Sequence, residues 1–171
     1  MQHTDSAGNE ERVHENRLMM MGAGSSFFHE EFFPEGDAEM LQVFIRPEQA
    51  DLEPQVQFWN RELPYHDDWQ LLAGPAALEA PLTIRQAVAV YDFHSKEALE
   101  NLYLPQIEGM TPWLYVMDGS LEIDGRTLKK GDAVTGGVRQ VSLAKDSHLV
   151  LFLIQEDAPM TLAGNFSGVK R

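Results

Sequence analysis

The chain has 171 residues, enough for one domain or two small ones. It contains no cysteine, which excludes a disulfide framework, a thiolate zinc site and a cysteine nucleophile, and suits a reducing compartment. Acids outnumber bases 27 to 13, for a net charge of -14 and a pI near 4.7. That balance speaks against direct DNA or RNA binding and against an anionic membrane surface, where Lys and Arg must neutralise phosphates. No apolar run approaches the roughly 18 residues a membrane helix needs, and the N-terminus lacks the basic and apolar regions of a secretory signal. The expectation is a cytoplasmic protein.

Charge is uneven along the chain. Residues 1–70 carry 15 acids and 4 bases, whereas residues 71–171 carry 12 acids and 9 bases, so a boundary near the middle is expected. In chain order, short apolar runs fall at Leu18–Met21, Met40–Ile45, Val56–Trp59, Trp69–Leu72, Val88–Phe93, Trp113–Met117, Leu121–Ile123 and Leu149–Ile154. Gly, Pro, Asp and Asn separate them, a pattern that predicts an all-β sandwich or barrel. Residues 74–81, Gly-Pro-Ala-Ala-Leu-Glu-Ala-Pro, lack periodicity and carry two prolines, and are read as the linker between the two units. Ser95 heads a short stretch, Lys96–Glu100, that predicts a turn rather than a helix. Asp118-Gly119 is read as a type I′ hairpin turn, with Asp124-Gly125 and Lys130-Gly131-Asp132 marking further reversals. Residues 113–154 are thus expected to form a compact meander, with Leu121, Ile123, Val150 and Phe152 pointing into its core.

The chemistry-bearing candidates cluster early. If residues 26–33 form a strand, His29 and Glu31 share one face with Phe27 and Phe33, and Glu30 shares the other with Phe28 and Phe32. An imidazole and a carboxylate two residues apart make half of a metal site, of a kind that suits iron, manganese, copper or nickel more than a structural zinc. H-x-E alone is too short to be specific, and spacing by itself favours the plainer reading, a His29 bond to Glu31 or Glu30 on a solvated strand. His66-Asp67-Asp68 is read as a solvated turn. His94 and His148 are read as structural. No phosphate-binding loop or nucleophile elbow accompanies Gly22-Ala23-Gly24 or Ser25-Ser26.

Three segments together are more informative. Met21-Gly22-Ala23-Gly24-Ser25-Ser26-Phe27-Phe28-His29-Glu30-Glu31 resembles the pirin-family segment M-T-A-G-x-G-(apolar)-x-H-x-E, with Gly22 replacing the Thr and Ser26 a Gly. His3-Thr4-Asp5-Ser6-Ala7-Gly8-Asn9 is similar to the H-x-D-S-x-G-N hairpin upstream in bacterial pirins. Leu41-Gln42-Val43-Phe44-Ile45-Arg46-Pro47, followed by Pro54 and Gln57, resembles the family's L-Q-(I/L)-W-(I/V)-x-P segment. Order and spacing are kept over residues 3–58, and the remainder fits the more variable C-terminal half of quercetinase-like pirins.

The resemblance implies a cupin-superfamily bicupin of two antiparallel, jelly-roll-type β-barrels. It implies residues 1–73 as an N-terminal barrel, 74–81 as linker and 82–171 as a metal-free C-terminal barrel. In pirins iron is usually held in the first barrel by three His and one Glu. Two of those His come from an H-x-H motif, and the others match His29 and Glu31. Here Met1 stands directly before the His3 hairpin, so the first barrel is expected to lack its opening strands and the H-x-H. Iron, or another divalent transition metal, is then expected to bind weakly or not at all. His3 matches a hairpin position that is not a ligand, and His14 lies in the charged stretch Glu10–Arg17. The implied activity is that of a quercetin 2,3-dioxygenase-type oxidoreductase on a flavonol-type substrate, with Glu31 doubling as base. The alternative is a non-enzymatic cupin that binds a partner or small ligand. Uncovered strand edges predict a homodimer or domain-swapped assembly.

Overall fold

A computed structural model describes residues 1–62 and 66–163. Among these residues there is no α-helix, only strands and a 3-10 turn at Ala76–Leu78. None of the described segments is a helix long and apolar enough to cross a membrane. The chain divides into two compact units, Met1–Glu62 with the segment from Ala158, and Leu63–Asp157.

The first unit contains strands Gln2–Asp5 (β1), Glu10–Arg12 (β2), Arg17–Gly22 (β3), His29–Phe32 (β4) and Gln55–Asn60 (β5). They form a three-stranded sheet of order β2-β1-β4 and a two-stranded pair, β3-β5. Thr161 returns to this unit, donating its N–H to the Pro47 carbonyl at 2.9 Å and accepting from Arg46 Nη1 at 3.3 Å. The run Met40–Ile45, expected as a strand, is not one. Its side chains alternate too little, and Leu41, Val43 and Phe44 are 40%, 46% and 70% exposed. It joins no ladder among the described residues, and apolar composition alone does not make one.

The second unit contains His66–Gly74 (β6), Leu82–Thr83 (β7), Val88–Ser95 (β8), Leu99–Tyr103 (β9), Thr111–Asp118 (β10), Ser120–Ile123 (β11), Arg126–Lys129 (β12), Ala133–Thr135 (β13), Gln140–Leu143 (β14) and Ser147–Ile154 (β15). A six-stranded sheet runs β13-β10-β15-β8-β6-β7, and a four-stranded sheet runs β12-β11-β14-β9. The core between them takes Phe93, Leu114, Leu149, Leu151 and Leu153 from the first sheet and Leu121, Val141 and Leu143 from the second. Each is at most 4% exposed, and burying such a side chain stabilises by about 1.5–3 kcal/mol.

Five expectations need correction. Asp118-Gly119 does not close a hairpin: β10 and β11 lie in different sheets, and the dipeptide is the corner between them. The true type I′ hairpin is Asp124-Gly125, where φ is 49° and 72° and Ile123 pairs with Arg126. Residues 113–154 are accordingly no meander, since β10, β13 and β15 belong to one sheet and β11, β12 and β14 to the other. On β15 the inward set is Leu149, Leu151 and Leu153; Val150 and Phe152 take the other face, a one-residue slip in parity. Residues 74–81 sit inside the second unit, because β6 pairs with both β7 and β8, and the division between units falls after Glu62. His66–Asp68 starts β6 rather than forming a turn. Residues 164–171 of the expected 82–171 unit lie outside the described residues.

Candidate metal centre

The hairpin β1–β2 is built around one carboxylate. Asp5 Oδ1 accepts the N–H groups of Ala7 (2.9 Å) and Asn9 (3.0 Å), and Oδ2 accepts from Asn9 Nδ2 (2.8 Å) and His3 Nε2 (3.0 Å). An Asp at the head of a turn closes it in this way because its short side chain reaches the N–H groups two and four residues on. Burial by itself would raise the Asp5 pKa. The hydrogen bonds from His3, Asn9 and Ala7 outweigh it and hold the group at about 2, against an ordinary 3.8.

The same hairpin positions β4. Asp5 pairs with His29 and His3 with Glu31 across the β1–β4 ladder. Residues directly opposite in an antiparallel pair share a face, so His3, Asp5, His29 and Glu31 all lie on one side of the sheet. His29 Nε2 and Glu31 Oε1 are 3.9 Å apart, with side chains 37% and 21% exposed. That is an ion-pair distance, too long for a hydrogen bond. The His29 ring lies between those of Phe27, at 5.8 Å, and His3, at 5.9 Å. Phe58 of β5 meets His3 edge-on at 6.0 Å, and Arg17 stands over the Phe58 ring at 5.1 Å. The face therefore looks toward the β3-β5 pair, and Phe28 and Phe32 point away, 76% and 60% exposed.

The expected pair, His29 and Glu31, is thus brought together on the expected face. His14 is exposed and takes the N–H of Asn16 on Nδ1 at 3.3 Å. Among the described residues no three His, Cys, Asp or Glu side chains stand at metal-holding geometry. The donor set still has the right chemistry for a transition metal: a nitrogen, a carboxylate oxygen and, beside them, a second imidazole.

Sequence spacing did not reveal two features. One is the bracing role of Asp5, for which the D-S-x-G-N turn pattern was the available signal. The other lies in the second unit, where Asp92, His94 and His148 converge from β8 and β15. His148 Nε2 bonds Asp92 Oδ1 at 2.5 Å, and the His94 and His148 rings stack at 4.7 Å and 11°. His148 lies 54 or more positions from Asp92 and His94 along the chain, and only strand pairing brings it to them.

Comparison with known proteins identifies the second unit. Residues 71–154 match the family model described as the quercetinase C-terminal cupin domain. This segment is a pirin-type C-terminal cupin domain. Similarity extends beyond it. The chain is 24% identical over 157 residues to the quercetin 2,3-dioxygenase of Escherichia coli K12, covering 89% of this chain and 67% of that protein. The solved structure of YhhW from Escherichia coli superposes with a TM-score of 0.74 at 25% identity, over 90% of this chain and 66% of that one. A second structure, of bacterial pirin YhhW in complex with nickel(II), gives the same TM-score at 21% identity, over 93% of this chain and 68% of that one. The chain spans about two thirds of the length of these relatives. Its two facing sheets in the second unit are the all-β cupin architecture.

Proposed function

We propose that this chain uses His29 and Glu31 to hold a divalent transition metal, iron in the first instance, and works as a pirin-like, quercetin 2,3-dioxygenase-type oxidoreductase. One observation carries the proposal: an imidazole and a carboxylate stand on one face of β4, 3.9 Å apart and partly open to solvent. When bound, such a metal supplies Lewis acidity and redox chemistry toward a flavonol-type substrate and O2. The chain's own groups do the positioning. His29 is oriented by the rings of Phe27 and His3, and Glu31 is the carboxylate placed to take a proton from a substrate hydroxyl. The absence of cysteine suits the cytoplasm, which we assign as the location.

The test is metal analysis of the purified chain alongside flavonol consumption. Near-stoichiometric transition metal that is lost, with turnover, in His29→Ala supports the proposal. Unchanged metal content in His29→Ala refutes it. A second reading, a non-enzymatic cupin that binds a partner or small ligand, is favoured by the fact that no three donors converge among the described residues. Absence of both metal and turnover, with folding intact, selects that reading. We further propose self-association through the first unit, where β4 is an edge strand flanked by exposed Phe28 and Phe32.

A further inference from the structure

Strand register in the second unit builds a face with two different ends. His148 is opposite His94 and Asp118, Val150 is opposite Asp92 and Tyr115, and Phe152 is opposite Val90 and Trp113. Residues directly opposite share a face, and this one is turned away from the leucine core. It is apolar over the rows of Val150 and Phe152, and it ends in imidazoles and carboxylates. Asp92 is not there for stability. A buried carboxylate carries a large desolvation penalty, and an apolar pair of the same volume serves a sheet as well or better.

The Asp92 bond sets the state of His148 instead. An ionised carboxylate only accepts, so Nε2 of the neutral ring carries the proton and Nδ1 keeps the lone pair. The His94 ring lies flat against that of His148 and holds its plane. The His148 side chain is 22% exposed, and its Nδ1 makes no hydrogen bond among the described residues. His3 makes a similar bond to Asp5, but its side chain is fully buried and its Nδ1 is orphaned inside the first unit, so it presents nothing at the surface.

We propose that His148 Nδ1 is the proton acceptor of a binding site for a phenol-type ligand, a planar ring bearing a weakly acidic hydroxyl. The hydroxyl proton passes to Nδ1: the O–H bond breaks, an N–H bond forms, and Asp92 stabilises the imidazolium. The ring rests on the apolar part of the same face. Val150 and Tyr115 form the next row, and Phe152 and Trp113 the one after, about 13 Å from His148 at about 3.3 Å per residue. That length takes one or two rings, and Trp113, 45% exposed, leaves the far end open. A ligand that already carries a carboxylate is repelled by Asp92 and by Asp118, the exposed partner of His148. The neutral hydroxyl is therefore the group selected. The proposal is independent of the metal assignment to His29 and Glu31.

The experiment is titration of the EDTA-treated full chain with para-nitrophenol, at a pH below its own pKa, followed by the yellow band of the nitrophenolate. In the unmodified chain the band should grow and saturate at one equivalent. His148→Gln should abolish it, and Trp113→Ala should weaken binding by about threefold to tenfold. Tyr103→Ala, which removes an exposed ring of β9, should change neither. Binding without the band overturns the proton transfer, and an equal band in His148→Gln overturns the site. Failure of the unmodified chain to bind para-nitrophenol overturns both. If His148→Gln does not fold, as judged by circular dichroism, nitrogen NMR of the imidazoles in the unmodified chain decides. One ring, neutral with its proton on Nε2, should gain a second proton when para-nitrophenol is added, and no change overturns the proposal.

Discussion

His148 donates from Nε2 to Oδ1 of Asp92 across the β8–β15 ladder, at 2.5 Å, and Asp92 is 2% exposed. Asp92 lies opposite Val150, on the face turned away from the leucine core. A carboxylate this deeply buried needs a charged or hydrogen-bonding partner. Removing it strands the imidazole. Asp92→Ala should therefore lower unfolding stability by about 3 kcal/mol, with Asp92→Asn losing less, as measured by urea denaturation. Equal stability of Asp92→Ala and the parent would show that the bond contributes nothing.

Two glycines with similar φ should respond differently. Gly119 has φ 74°, and a Cβ there would lie 2.8 Å from the Asp146 carbonyl oxygen and would also collide with Ser147 Oγ. Gly125 has φ 72° with nothing within 4 Å. Gly125→Ala should cost about 1 kcal/mol from backbone strain alone. Gly119→Ala should cost at least about 2 kcal/mol more, because the obstruction is backbone that cannot move without separating the two sheets. Thermal unfolding of both variants checks the order.

On β15 the parity is testable. Leu151 is 0% exposed and points into the core, whereas Phe152 points outward and is half-buried. Leu151→Ala should cost about 2–5 kcal/mol. Phe152→Ala should cost less despite removing more atoms. The reverse order, in urea midpoints, would mean that the strand is shifted by one residue.

Acid should loosen the first unit through Asp5. Its folded pKa, about 2, lies below the ordinary 3.8, so the charged form is favoured by folding. The resulting stability is complete above roughly pH 4 and is lost as pH falls through about 2. In metal-free protein, Asp5→Asn should be less stable near neutrality, with the difference from the parent shrinking across that window. Denaturation at a series of pH values reads this directly.

Self-association should depend on the outer face of β4. Replacing both Phe28 and Phe32 with Ser should shift the chain toward monomer in sedimentation experiments, without loss of folding. A monodisperse monomer for the unmodified chain would remove the basis for the assembly.

The all-β class, the reversals at Asp124-Gly125 and Lys130–Asp132, and the shared face of His29 and Glu31 were legible because turn chemistry and two-residue periodicity are local. The inward residues of β15 were not. Leu149–Ile154 is an unbroken apolar run, and a run without alternation carries no record of which side faces the core. Asp118-Gly119 was misread for a related reason: glycine at positive φ serves a hairpin and a sheet-to-sheet corner equally, and only the partner strands distinguish them. Met40–Ile45 shows the converse, strand-like composition that joins no ladder among the described residues. The state of His3 needed tertiary information, since its burial depends on Phe58 and its orphaned nitrogen on what does not approach it.

The position of β15 has a consequence for how the protein is made. The last strand of the second unit lies between β10 and β8, at the centre of the six-stranded sheet. Until Ile154 has left the ribosome, β8 and β10 have no common neighbour and the leucine core has no middle. The domain must therefore be completed after most of it has been synthesised, and its exposed strand edges in that interval are the period in which a chaperone would be needed.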